Sequence, residues 1–186
     1  MGIISVTGTP GTGKSTFSKA LALKINYKYV DLNDKLMEWN CISEHDPIRK
    51  TNVIDINKAK LKILNTYSTG DYILDGHLSH LVTSKKLITA CFILRCSPYE
   101  LSNRLKIRNY SINKIKENCA AEILDIISSE SKKNFGDNLV YELNSENLDI
   151  VDLAIKILEG KYVYNPPLIN WLTLVKNNND LHLFFN

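Results

Sequence analysis

The segment GTPGTGKS at 8–15 limits what this 186-residue chain can fold into more than any other. It matches GxxxxGK[ST] and sits between an apolar run at 3–7 and a helix-like stretch at 14–25, the strand-loop-helix context a phosphate-binding loop needs. Gly8, Gly11 and Gly13 free the backbone to aim successive amides at phosphate oxygens, beside the positive end of the following helix. Lys14 is placed to reach the outer phosphates, the Ser15 hydroxyl to ligate magnesium, and Thr16 to bond an inner phosphate through its hydroxyl or amide. At average composition a chance match in a chain this long has a probability of roughly 0.5 to 1%. The motif therefore predicts a nucleoside triphosphate held with Mg2+.

Further apolar runs at 27–32, 72–74, 90–94 and 139–143 read as strands, and the segments 56–67, 98–108, 113–133 and 148–158 read as helices, the last stopped by Gly160. This alternation predicts an α/β fold of the P-loop hydrolase and kinase type, a five-stranded parallel sheet flanked by helices. The 44% apolar content suffices for one core, so 1–160 reads as a single domain. The polar stretch 33–55 is too long for an ordinary connection and is a candidate substrate-binding insertion. From 161 to 186 the character changes, and this part reads as a C-terminal appendage. Leu168, Trp171, Leu172 and Val175 can share one helical face there, which either packs back on the domain or takes a partner.

The 23 basic and 20 acidic residues are mixed along the chain, so no cationic stripe points to nucleic acid as the main ligand. No window approaches the roughly 20 apolar residues of a membrane span, and the start MGIISVTG lacks the features of a signal peptide, so a soluble cytoplasmic protein without a membrane partner is expected. Cys41, Cys91, Cys96 and Cys119 form no CxxC pair and read as reduced packing residues.

The segment DYILDGHLSH puts Asp75 at the carboxyl end of an apolar strand, where parallel sheets bind ligands. Beside the loop it suits the second magnesium-holding carboxylate, making Ser15 and Asp75 the metal candidates. His77, two residues on, is near enough to orient a water or an acceptor group; His80 is the weaker candidate. Only four arginines occur against nineteen lysines. Arg104 and Arg108 share a helical face, and Arg108 opens a segment between two helices where a nucleotide kinase keeps its lid; Arg104 also has Glu100 four residues before it as an ion-pair partner. Arg95 at a strand end could face the site, and Arg49 in the insertion could meet an acceptor phosphate.

Taken together, TGTPGTGKST, DGH after a strand, and RLKIRNYSINKIKENCAAEI resemble the adenylate kinase isoenzyme 6 family over about 3–158. The resemblance implies ATP:AMP phosphotransfer with broad acceptor use, a slow ATPase activity, and a role in maturing the small ribosomal subunit beside a platform ribosomal protein, in the cytoplasm or, in a eukaryote, the nucleus. It carries the ATP contacts to Gly11, Gly13, Lys14, Ser15, Thr16 and Arg108. It carries the catalytic set to Lys14, Asp75, His77 and Arg108, the acceptor segment to about 31–52, and the lid to about 107–117. The chain departs from relatives at Met37, where an arginine can stand, and at Asn147, where a basic residue can stand. Beside a nucleotide kinase stand an ATPase-type ribosome assembly factor, compatible with the kinase in one protein, and a scaffold whose ATP site only serves a partner; deoxynucleotide, shikimate and gluconate kinases share the loop as alternatives outside the family.

Overall fold

In the computed structural model, which describes residues 2–46, 51–165 and 169–185, five strands form one parallel sheet. They are β1 (Ile3–Thr7), β2 (Lys28–Asp31), β5 (Tyr72–Asp75), β6 (Ile88–Arg95) and β7 (Val140–Asn144), in the order β2-β5-β1-β6-β7. All five residues of β1 are buried, and seven of the eight in β6. Such near-continuous apolar strands belong to a sheet covered on both faces. Two further strands, β3 (Ile42–Asp46) and β4 (Thr51–Ile54), pair antiparallel as a separate ribbon. The insertion expected at 33–55 thus holds a helix and this ribbon. Arg49 and Leu168 lie outside the described residues.

The helices are α1 (Lys14–Ile25), α2 (Leu32–Glu38), α3 (Ile56–Tyr67), α4 (Ser79–Val82), α5 (Pro98–Ile107), α6 (Ile112–Ile123), α7 (Ile126–Phe135), α8 (Ile150–Leu158), α9 (Trp171–Asn177) and α10 (Leu181–Phe184). Their starts follow local chemistry. Asp31, Asp55, Ser97, Ser111 and Asn170 each accept a backbone N–H of the first turn, and Pro98 opens α5 where its missing donor costs nothing. On one face of the sheet Phe17 and Leu21 of α1 and Ala154 and Ile157 of α8 pack on Ile4, Val6 and Phe92. On the other, Leu36, Ile63 and Val82 cover Ile3 and Leu74, and Phe135 of α7 covers Cys91 and Ile93. Among the described residues, no helix is long and apolar enough to cross a membrane.

One long helix over 113–133 was expected; the chain instead breaks it between α6 and α7. Asp125 takes a left-handed φ of 54° at the break, and its carboxylate bonds the Arg95 guanidinium. Asp tolerates that conformation better than most residues, and the ion pair holds it there. All four cysteines are buried, and burial pushes the thiols of Cys91, Cys96 and Cys119 up to about 12, far from nucleophilic.

Candidate active site

Central β1 runs beside β5 on one side and β6 on the other, and the phosphate-binding loop leaves its carboxyl end. Gly8, Gly11 and Gly13 all hold positive φ, at 141°, 98° and 94°. A Cβ on Gly8 would stand 2.5 Å from the Leu94 carbonyl oxygen, and one on Gly11 2.9 Å from Leu101. These positions require glycine for conformation and for space alike. Within the loop the Thr9 carbonyl accepts from the Thr12 N–H and hydroxyl and from Lys14 Nζ at 3.0 Å. Burial lowers the Lys14 ammonium to about 8, against the pull of Asp75 and Glu122 and with the push of Arg108. Asp75, Glu122 and Arg108 thus all lie within electrostatic range of Lys14. Ser15 and Thr16 are exposed at the start of α1.

Asp75 ends β5 opposite Val6 of β1 and is only 2% exposed. Its Oδ2 accepts from the Tyr29 hydroxyl at 3.0 Å, whereas Oδ1 has no partner among the described residues. A buried carboxylate oxygen left without a donor is costly unless something else fills the position. Tyr29 was not foreseen: it lies on the neighbouring strand β2, which pairs with β5 and so brings its hydroxyl to Asp75. The Asp75 carboxylate at the end of β5 and the Ser15 hydroxyl in the first turn of α1, which follows the phosphate loop, are hard oxygen donors of the kind magnesium takes.

His77 is half-buried, and burial together with the charges of Lys14, His80 and Lys114 lowers its imidazole to about 4. It is neutral at pH 7 and can accept as well as donate a proton. His80 sits in the interior instead. Its Nδ1 meets the Thr7 hydroxyl at 2.9 Å and its Nε2 meets Glu130 at 3.0 Å, so it ties β1 to α7. Arg108 caps α5 and is exposed, opening the four-residue turn to α6; Lys114 follows within the expected lid segment. Arg104 donates to Glu100 at 2.8 Å and reaches Ser145 at 3.4 Å, and it flanks Gly13.

Arg95 does not face this site. It is 2% exposed and donates Nε to Glu122 at 2.7 Å, Nη1 to Glu142 at 2.5 Å, and Nη2 to Asp125 and the Glu122 carbonyl. The strand end turns it into an interior ion cluster that no local pattern announces. Glu122, also missed, is 3% exposed and accepts from the Thr9 hydroxyl at 2.6 Å, so the cluster reaches the phosphate loop from behind.

The model of the AAA domain family matches residues 4–125. Among curated proteins, one from Methanocaldococcus jannaschii named "Putative adenylate kinase" is 35% identical over 159 residues, covering 84% of each chain. Proteins of the same name from Methanosarcina barkeri and Saccharolobus solfataricus are 35% and 34% identical, covering 93% and 94% of this chain and 99% and 89% of theirs. Among solved structures, a shikimate kinase from Acinetobacter baumannii in complex with shikimate superposes with a TM-score of 0.61 at 11% identity, covering 88% of this chain and 96% of that one. A gluconokinase from Sinorhizobium meliloti gives 0.57 at 18% identity, covering 86% and 93%. At these identities the structural likeness concerns the fold alone.

Proposed function

The chain belongs to the family of those archaeal proteins, and on that premise we propose that it transfers the terminal phosphoryl group of ATP to a nucleoside monophosphate, AMP first among them. The observation that carries this reading is the buried, partnerless Asp75 Oδ1 beside a fully formed phosphate loop.

The loop amides and Lys14 cradle the phosphates, with Lys14 exchanging the Thr9 carbonyl for phosphate oxygens whose charge offsets the cost of its burial. Ser15 and Asp75 would hold Mg2+, which would supply positive charge against the phosphates during transfer. An acceptor phosphate oxygen attacks the γ phosphorus; the bond to the β–γ bridging oxygen breaks and ADP leaves with that electron pair. Arg108 folds from the turn after α5 over the spreading charge, and the planar guanidinium suits it better than an ammonium. Neutral His77, within electrostatic range of Lys14 and Lys114, orients the acceptor or a water, and with water in the acceptor's place the same site hydrolyses ATP.

In this reading residues 1–160 form the kinase domain, 31–52 its acceptor segment, 107–117 its lid, and 161–186 an appendage. Activity in the cytoplasm, in small-subunit maturation beside a platform ribosomal protein, belongs to the reading through the resemblance alone. The test is product separation after incubating purified protein with Mg2+, ATP and, in turn, AMP, dAMP, CMP, UMP, GMP, shikimate and gluconate. ADP formed at the expense of AMP, and lost in Lys14→Ala, supports the proposal. Phosphorylation of shikimate or gluconate with no nucleotide acceptor used would overturn it.

A further inference from the structure

The segment after 161 packs against the machinery behind the phosphate loop. Val175 and Phe184 are buried with Leu101, Leu105, Ile115, Cys119 and Ile123 of α5 and α6. Tyr99 donates its hydroxyl to Asp180 at 2.7 Å and accepts from Asn178 at 3.0 Å, pinning the segment to the start of α5. Leu172 of the same helix is exposed, so the face that turns inward is the one carrying Trp171 and Val175.

Trp171 does more than fill space. Its Nε1 donates to Glu122 Oε1 at 3.2 Å, an oxygen that also accepts from Arg95 Nε and the Cys96 N–H. Three donors on Oε1 fix the carboxylate plane, and Oε2 is thereby left to take the Thr9 hydroxyl at 2.6 Å. The Thr9 carbonyl in turn holds Thr12 and Lys14. A second path runs through Leu101 and Leu105, which press on Gly11. Phenylalanine would keep much of the apolar packing but lacks the indole N–H that reaches the buried carboxylate.

We propose that Trp171 is a positioning residue for the nucleotide site: through Glu122 and Thr9 it sets the geometry of the phosphate loop, and the C-terminal segment thereby tunes affinity for the triphosphate. This rests on the reading of 8–16 as the triphosphate site. Because the readout is ATP binding, a protein that phosphorylates no acceptor leaves the inference standing, whereas a wild type that binds no ATP overturns both.

The experiment is a double-mutant cycle on the Mg-ATP dissociation constant, by calorimetry, with full-length wild type, Trp171→Phe, Thr9→Val and the double variant. Trp171→Phe should weaken binding about 3- to 10-fold, the loss of part of a charge-assisted hydrogen bond. The double variant should bind within about twofold of Thr9→Val alone, since both changes cut one relay. Leu172→Ala, on the exposed side, should bind as wild type does. Unchanged affinity in Trp171→Phe, or losses that multiply in the double variant, would overturn the relay. A measurement that leaves the relay intact uses Trp39→Phe, in which Trp171 is the only tryptophan. Its emission should change on adding Mg-ATP, and an unmoved spectrum at saturation would count against the proposal.

Discussion

Replacing Arg95 by Met removes the cation shared by three carboxylates and leaves a shorter, uncharged side chain along the path of its stem. Glu142 would keep the Lys132 ammonium at 2.6 Å and the Ser128 hydroxyl at 2.8 Å, and so remain compensated. Asp125 is partly exposed, and water can take over its charge. Glu122 would keep only neutral donors, from Thr9, Cys96 and Trp171. One buried carboxylate is thus stranded, a change that costs about 3 to 5 kcal/mol. In a chain of this size that corresponds to a fall in Tm of roughly 6 to 20 °C. Urea denaturation followed by circular dichroism at pH 7 and pH 5 reads it. In the wild type, burial would raise the Glu142 carboxyl, but Lys132 and Arg95 outweigh it and hold it low, so its stabilisation is present above the unfolded pKa and fades as pH falls. In the variant the penalty of a buried, unpaired carboxylate is present at neutral pH and is relieved when the group takes up a proton. The Glu142 contribution is the same at pH 7 and pH 5, both above its unfolded value, so the smaller deficit expected at pH 5 comes from the stranded carboxylate alone. Arg95→Lys, a point charge in place of a fork, should lose less. A loss below about 1 kcal/mol at pH 7, or an equal deficit at both pH values, refutes this account of the cluster.

Asp75→Asn keeps the shape and the Tyr29 contact but weakens the metal site, so phosphoryl transfer should fall by about a hundredfold or more, with the magnesium titration displaced to higher concentration; an unmoved titration removes Asp75 from the site. His77→Ala should lower ATP hydrolysis by about tenfold or more while ATP affinity stays near that of wild type, since the loop contacts survive; calorimetry beside phosphate release separates the two, and equal loss in both would indicate a structural role instead. Gly8→Ala puts a methyl group against the Leu94 carbonyl at a φ of 141° and should destabilise by about 2 kcal/mol or more, read by thermal unfolding. A near-normal Tm there would mean that the loop relaxes freely.

Much of the site was legible because its parts lie close in sequence. The loop from Gly8 to Thr16 has its geometry written into glycine spacing, and Asp75 and His77 follow one apolar strand. The parallel sheet followed from the alternation of apolar runs with helical segments, and its five strands fall where those runs lie. What escaped was built from distant residues. Arg95 meets Glu122, Asp125 and Glu142 at separations of 27, 30 and 47 residues, and the helix breaks at one of these partners, Asp125. Local periodicity across 113–133 carries no sign of it. Tyr29 reaches Asp75 only because β2 and β5 are neighbours, and Trp171 reaches Glu122 across 49 residues. The ribbon β3–β4 has strands of five and four residues, too short for a period-two pattern to stand out.

The central claim is transfer of a phosphoryl group to a nucleotide rather than to water. ATP labelled in its γ phosphate, incubated with the protein, Mg2+ and AMP, follows that group directly. The account predicts label in ADP, one for each AMP consumed, and its disappearance in Lys14→Ala. Label recovered only as inorganic phosphate, at a rate indifferent to AMP, would contradict it.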